Sequence, residues 1–108
     1  AHFAKVLIAP RALVNCHARQ DYWANPYGTE LTHRAAEIVF KWLDAGNRIG
    51  LHWREGKHAQ NQEDWSALLD FADQQFFGRK SNRKFNNWTY PNADLPFDWN
   101  IPDATPPK

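Results

Sequence analysis

Residues 49–65, IGLHWREGKHAQNQEDW, read as a strand, a sharp loop and the first turn of a helix. Ile49, Leu51 and Trp53 alternate with Gly50 and His52, the two-residue period of an extended strand. Glu55, Gly56, Lys57 and His58 form the loop, where a glycine lets the backbone reverse tightly. Asn61 with Asp64 three residues on imitates a capping box, so a helix is expected to start there. Trp65, Leu68, Leu69, Ala72 and Phe76 then share one helical face, and Gly78 is the expected stop.

Upstream, Asn25-Pro26 has the form of a helix cap followed by a first-turn proline. Leu31, Ala35, Ile38, Val39, Trp42 and Leu43 fall on one face of the helix that follows, and Gly46 is its expected end. His33 and Arg34 lie off that face and are expected in solvent. Residues 12–17, ALVNCH, are a near-continuous apolar run of strand length, which suits a strand covered on both faces. Residues 2–9 have Phe3, Val6 and Leu7 at helical spacing before Pro10-Arg11 breaks the pattern. From Arg79 onward there is no period, and residues 79–108 read as an extended tail. Its Phe85, Trp88, Tyr90, Phe97 and Trp99 are expected to dock on the body formed by residues 1–78.

The order is helix, strand, helix, strand, helix, tail. A helix between two strands makes a parallel βαβ unit, so the class is α/β. Parallel sheets are covered on both faces, and two strands are too few to stand alone. The chain is therefore expected to be a fragment of something longer.

Composition removes several function classes. Thirteen basic and twelve acidic residues are interspersed, with a formal charge of +1, so there is no electrostatic footprint for nucleic acid. No run of about 18 apolar residues is present, so no membrane-spanning segment is expected. The single cysteine, Cys16, lies in an apolar run and reads as a buried, inert thiol. Six Trp, seven Phe and three Tyr are an unusual aromatic content. They read either as core and tail packing or, for some of the tryptophans, as the lining of a sugar subsite.

His58 is the first candidate for chemistry, because imidazole can take and return a proton near neutral pH. The bland alternative is a surface histidine in a polar loop. Asp21, on the loop after the first strand, is placed to hold the imidazole tautomer; otherwise it is a turn aspartate. Glu55 ranks below it. A chain order of acid before histidine fits the order serine, acid, histidine of strand-loop hydrolases. No nucleophile is evident: Ser66 lies within a helix, Ser81 in the tail, and neither has the G-x-S-x-G elbow. The serine is expected upstream of Ala1. The five histidines do not fall at metal-ligand spacing, so neither a metal nor a cofactor is expected.

Residues 8–11 (IAPR), 21–26 (DYWANP), 54–58 (REGKH) and 63–78 (EDWSALLDFADQQFFG) together resemble the carboxyl-terminal part of the glucuronoyl esterases and acetylxylan-esterase-like proteins. The resemblance implies the last part of an α/β-hydrolase, a three-layer αβα sandwich. It implies a serine esterase acting on glucuronate esters of xylan, such as those joining glucuronoxylan to lignin alcohols. It carries the general base onto His58, the Asp-x-Trp turn onto Asp21 and Trp23, and substrate binding onto Trp23. The remainder of the hydrolase is the implied partner, and a secreted or periplasmic location goes with a polymeric substrate. An esterase for acetyl or other small acyl groups, and a non-catalytic carbohydrate-binding fragment, are the alternatives.

Overall fold

The computed structural model describes residues 2–95 and 103–106. It is a small α/β domain in which parallel strands alternate with helices, consistent with part of an α/β-hydrolase sandwich. Helix α1 (His2–Val6) leads into strand β1 (Leu13–Ala18). Helix α2 (Pro26–Trp42) crosses to strand β2 (Ile49–Arg54), and helix α3 (Gln62–Phe77) follows. β1 and β2 pair in parallel from Leu13 opposite Ile49 to Ala18 opposite Arg54.

The period-two alternation of the strands sorts the core into two layers. On one face Ile49 packs with Ala36, Phe40 and Ala45, and Val6, Ala9 and Leu13 lie against them. On the other, Ala67 and Phe71 of α3 pack with Phe85, Val14 and Cys16. Gly50 is required there by close approach: a Cβ would stand 2.8 Å from the Phe71 ring and 2.9 Å from Phe85 Cβ. The Phe71 and Phe85 rings meet edge to face at 5.1 Å. Phe85 O also accepts from Leu51 N at 2.7 Å, which joins the tail to the free edge of β2.

All six β2 residues are buried, but most of β1 is only half-buried, not covered on both sides as expected. Among the described residues β1 has a strand neighbour on one side only.

The capping predictions for α3 hold. Asn61 Oδ1 accepts from Asp64 N at 3.2 Å, Asp64 Oδ2 accepts from Asn61 N at 3.1 Å, and Gly78 closes the helix. Asn25 and Pro26 likewise open α2, with Asn25 Oδ1 accepting from Gly28 N. Gly46 does not end it. The helix stops at Trp42, and Asp44 takes the left-handed conformation that releases the chain.

The buried faces differ from the apolar stripes. On α2 the deepest residues are Glu30, His33, Ala36 and Phe40, none of which was on the expected face. His33 has no exposed surface and Arg34 is half-buried, so neither is solvated. The cause is the tail. Glu30 accepts from Trp53 Nε1 at 3.0 Å, Thr89 N at 2.6 Å and Tyr90 N at 2.7 Å. Three donors on one carboxylate offset the cost of burying its charge. Trp88 meets the His33 ring edge to face with centroids 5.6 Å apart, and the Arg34 guanidinium lies over the same indole. On α3 the buried residues are Asp64, Ala67 and Phe71, while Trp65, Leu69, Phe76 and Phe77 are largely exposed. Phe85, Trp88 and Tyr90 of the tail do dock; Phe97 and Trp99 lie outside the described residues.

His33 makes stability depend on pH. Burial, with Lys5 as a smaller second cause, lowers its imidazole to about 3, and neither ring nitrogen has a partner among the described residues. An unfolded histidine titrates near 6.5, so between those values the unfolded chain holds the extra proton. The stabilising contribution is therefore complete above about pH 6.5 and is lost as pH falls toward 3, by about 1.4 kcal/mol per unit. Urea unfolding is expected to show a drop of about 2 kcal/mol from this group between pH 7 and pH 5. His33→Phe should remove that part of the slope; an unchanged slope in the variant contradicts the assignment.

Candidate active site

The loops that follow the two strands are tied together by their own backbones. Arg19 N donates to Arg54 O at 2.8 Å, and Gln20 N donates to Gly56 O at 3.0 Å. The Gln20 amide reciprocates, accepting from Gly56 N at 2.5 Å and donating to Glu55 Oε2 at 2.6 Å. Arg19 adds an ion pair to Glu55 at 3.0 Å. Gly56 sits at φ +117, a conformation that residues with a Cβ rarely adopt. These contacts bring Asp21, three residues past β1, against His58, four past β2.

His58 Nδ1 stands 2.8 Å from Asp21 Oδ2. The Asp21 side chain is 10% exposed and that of His58 is 87% exposed. The carboxylate is thus fixed in the wall while the ring stands in the open. Its Nε2 has no hydrogen-bond partner among the described residues. An imidazole held through Nδ1 with Nε2 outward is the arrangement a general base needs. Glu55 points the other way, to Arg19 and Gln20, and does not compete for His58.

A cavity of about 250 Å³ opens beside the pair, lined by Cys16, His17, Asp21, Arg54, Lys57 and His58 among others. The Cys16 thiol donates to Asp64 O at 3.8 Å, and burial, then the Asp64 charge, raises its pKa, so it is no activated nucleophile. Burial lowers the His17 imidazole, and its ring lies 5.8 Å from that of Trp53. Ser66 and Ser81 are far from this role: both hydroxyls accept from Arg83. Among the described residues no three His, Cys, Asp or Glu side chains are grouped to hold a metal ion.

Trp23 follows Asp21 on a 3₁₀ turn, Tyr22–Ala24, with its side chain fully exposed, and it does not line the cavity. The residue that sequence reading missed is Arg54. It is 5% exposed, and its Nε donates to Asp64 Oδ2 at 2.7 Å. Strand alternation contained the signal, since Arg54 shares the Gly50 and His52 face that meets α3. Asp64 was legible only as a cap.

No family model matches the chain. Carbohydrate esterase MZ0003, from an unknown prokaryotic organism, is 32% identical over 92 residues, covering 71% of this chain and 21% of that protein. A carbohydrate esterase family 15 (CE15) glucuronoyl esterase from Caldicellulosiruptor kristjansonii has a solved structure that matches with a TM-score of 0.89 and 31% identity. The match covers 94% of this chain and 26% of that one. The chain spans about a fifth to a quarter of the length of these relatives. In sequence and in fold, the chain matches one part of a larger, glucuronoyl-esterase-like carbohydrate esterase.

Proposed function

We propose that this segment supplies the acid–base histidine of a serine carboxylic-ester hydrolase that cleaves glucuronate esters of xylan. The observation that carries the reading is the 2.8 Å contact between His58 Nδ1 and Asp21 Oδ2 beside a cavity, with Nε2 left outward. The serine belongs to the remainder of the hydrolase. His58 Nε2 takes the serine proton as the oxygen attacks the uronate carbonyl, and Asp21 stabilises the imidazolium that forms. The same proton then goes to the departing alcohol. Water repeats the relay on the acyl-enzyme and releases the free acid. Trp23 offers a flat apolar face to a sugar ring.

The exposed apolar stripe on α3 and the open edge of β1 support a larger body around this segment. A polymeric substrate would place the enzyme outside the cytoplasm, secreted or periplasmic.

The test compares two esters with the complete enzyme. Hydrolysis of a benzyl glucuronate ester is expected to exceed that of an acetylated xyloside by at least about tenfold in kcat/KM, a difference of ~1.4 kcal/mol in transition-state binding. The reverse ratio would make it an acetyl or small-acyl esterase. Retention on xylan without hydrolysis of either ester, lost in Trp23→Ala, would make it a binding module.

A further inference from the structure

We infer that Arg54 is a positioning residue for His58, an inference that rests on the proposed role of that histidine. The guanidinium is buried at the end of β2 and uses each of its nitrogens. Nε donates to Asp64 Oδ2 at 2.7 Å, Nη1 to Glu55 O at 3.2 Å, and Nη2 to Lys57 O at 3.0 Å and to Ala59 O. The three carbonyls bracket His58, two before it and one after.

Side-chain packing does not hold this loop, because Lys57, His58, Ala59 and Gln60 are all exposed. A solvent-exposed imidazole tethered only by its own hydrogen bond to Asp21 would sample many positions. The arginine replaces packing with a rigid planar fork, whose donors match several acceptors at once. Its anchor is equally constrained. Asp64 is 2% exposed and is also the capping-box partner of Asn61 at the start of α3, so helix start, guanidinium and histidine loop form one connected unit. Gly56 fits the same arrangement, since a Cβ there would lie 2.8 Å from Arg54 Nη1.

A merely structural arginine and a positioning one predict different results. Arg54→Lys in the complete enzyme keeps a cation for Asp64, but one ammonium cannot span carbonyls on both sides of His58. The variant is expected to keep its unfolding midpoint within a few degrees and its KM, while kcat falls by about 100-fold, the usual loss for a misplacement of about 1 Å. Where the single variant does not fold, Arg54→Met combined with Asp64→Asn removes both buried charges and is read in the same way. His58→Ala is measured alongside. If it is inactive while the folded Arg54 variant keeps wild-type kcat, the positioning role is overturned and the histidine assignment stands. If His58→Ala is fully active, both fall.

Discussion

Replacing His58 by alanine in the complete enzyme is expected to lower ester hydrolysis by at least about 10⁴-fold, with the fold unchanged. The two halves of that expectation have separate causes. The side chain is 87% exposed and touches little beyond Asp21, so its removal takes almost nothing from the core. The chemistry loses the group that accepts the serine proton and returns it to the leaving alcohol. Both half-reactions need that transfer, so neither acyl transfer nor deacylation proceeds by another route. Initial rates on a benzyl glucuronate ester, with the thermal unfolding midpoint measured on the same preparations, check both parts. A small loss of rate, or a large fall in the midpoint, contradicts the assignment.

Asp21→Asn carries the second-largest expected effect, a loss of about 10²- to 10⁴-fold in kcat with KM little changed. The asparagine has nearly the same shape, so the buried site beside Ala18 and Ala24 is kept. The hydrogen bond is what changes. A carboxylate can only accept from Nδ1, which fixes the proton there and leaves a lone pair on Nε2. An amide can donate to Nδ1, which favours the opposite tautomer and presents an N–H to the serine. The imidazolium formed during reaction also loses its counter-charge. Steady-state kinetics separate this from a folding defect, since uniform loss of binding would raise KM instead. An Asp21→Asn enzyme with wild-type kcat would leave Asp21 as a turn residue.

The β2-loop-α3 region was the most legible part of the chain because its signals are local. Asn61 and Asp64 satisfy each other within one turn, and Gly56 answers a backbone requirement at its own position. The pairing of Asp21 with His58 followed from the rule that strand ends on one side of a parallel sheet converge. The faces of the helices were less legible. Periodicity found apolar stripes on α2 and α3, but which face is buried depends on the neighbour that covers it. On α2 the tail selects Glu30 and His33, whose partners at Thr89, Tyr90 and Trp88 lie more than fifty residues away in sequence. No local pattern encodes that distance. On α3 the stripe of Trp65, Leu69 and Phe76 faces outward, while the smaller Ala67 and the ring of Phe71 meet the sheet. Arg54 escaped for a related reason, since its task is defined by four acceptors drawn from the loop and the next helix.

The most direct test of the account is the tautomer of His58 in the complete enzyme, read from the nitrogen-15 spectrum of its labelled histidines and assigned with His58→Ala. With the imidazole neutral, the proton is predicted on Nδ1, with Nε2 carrying the unprotonated-nitrogen shift, and Asp21→Asn is predicted to reverse the two. A neutral His58 protonated on Nε2, or one exchanging evenly between tautomers and indifferent to Asp21, would contradict the account.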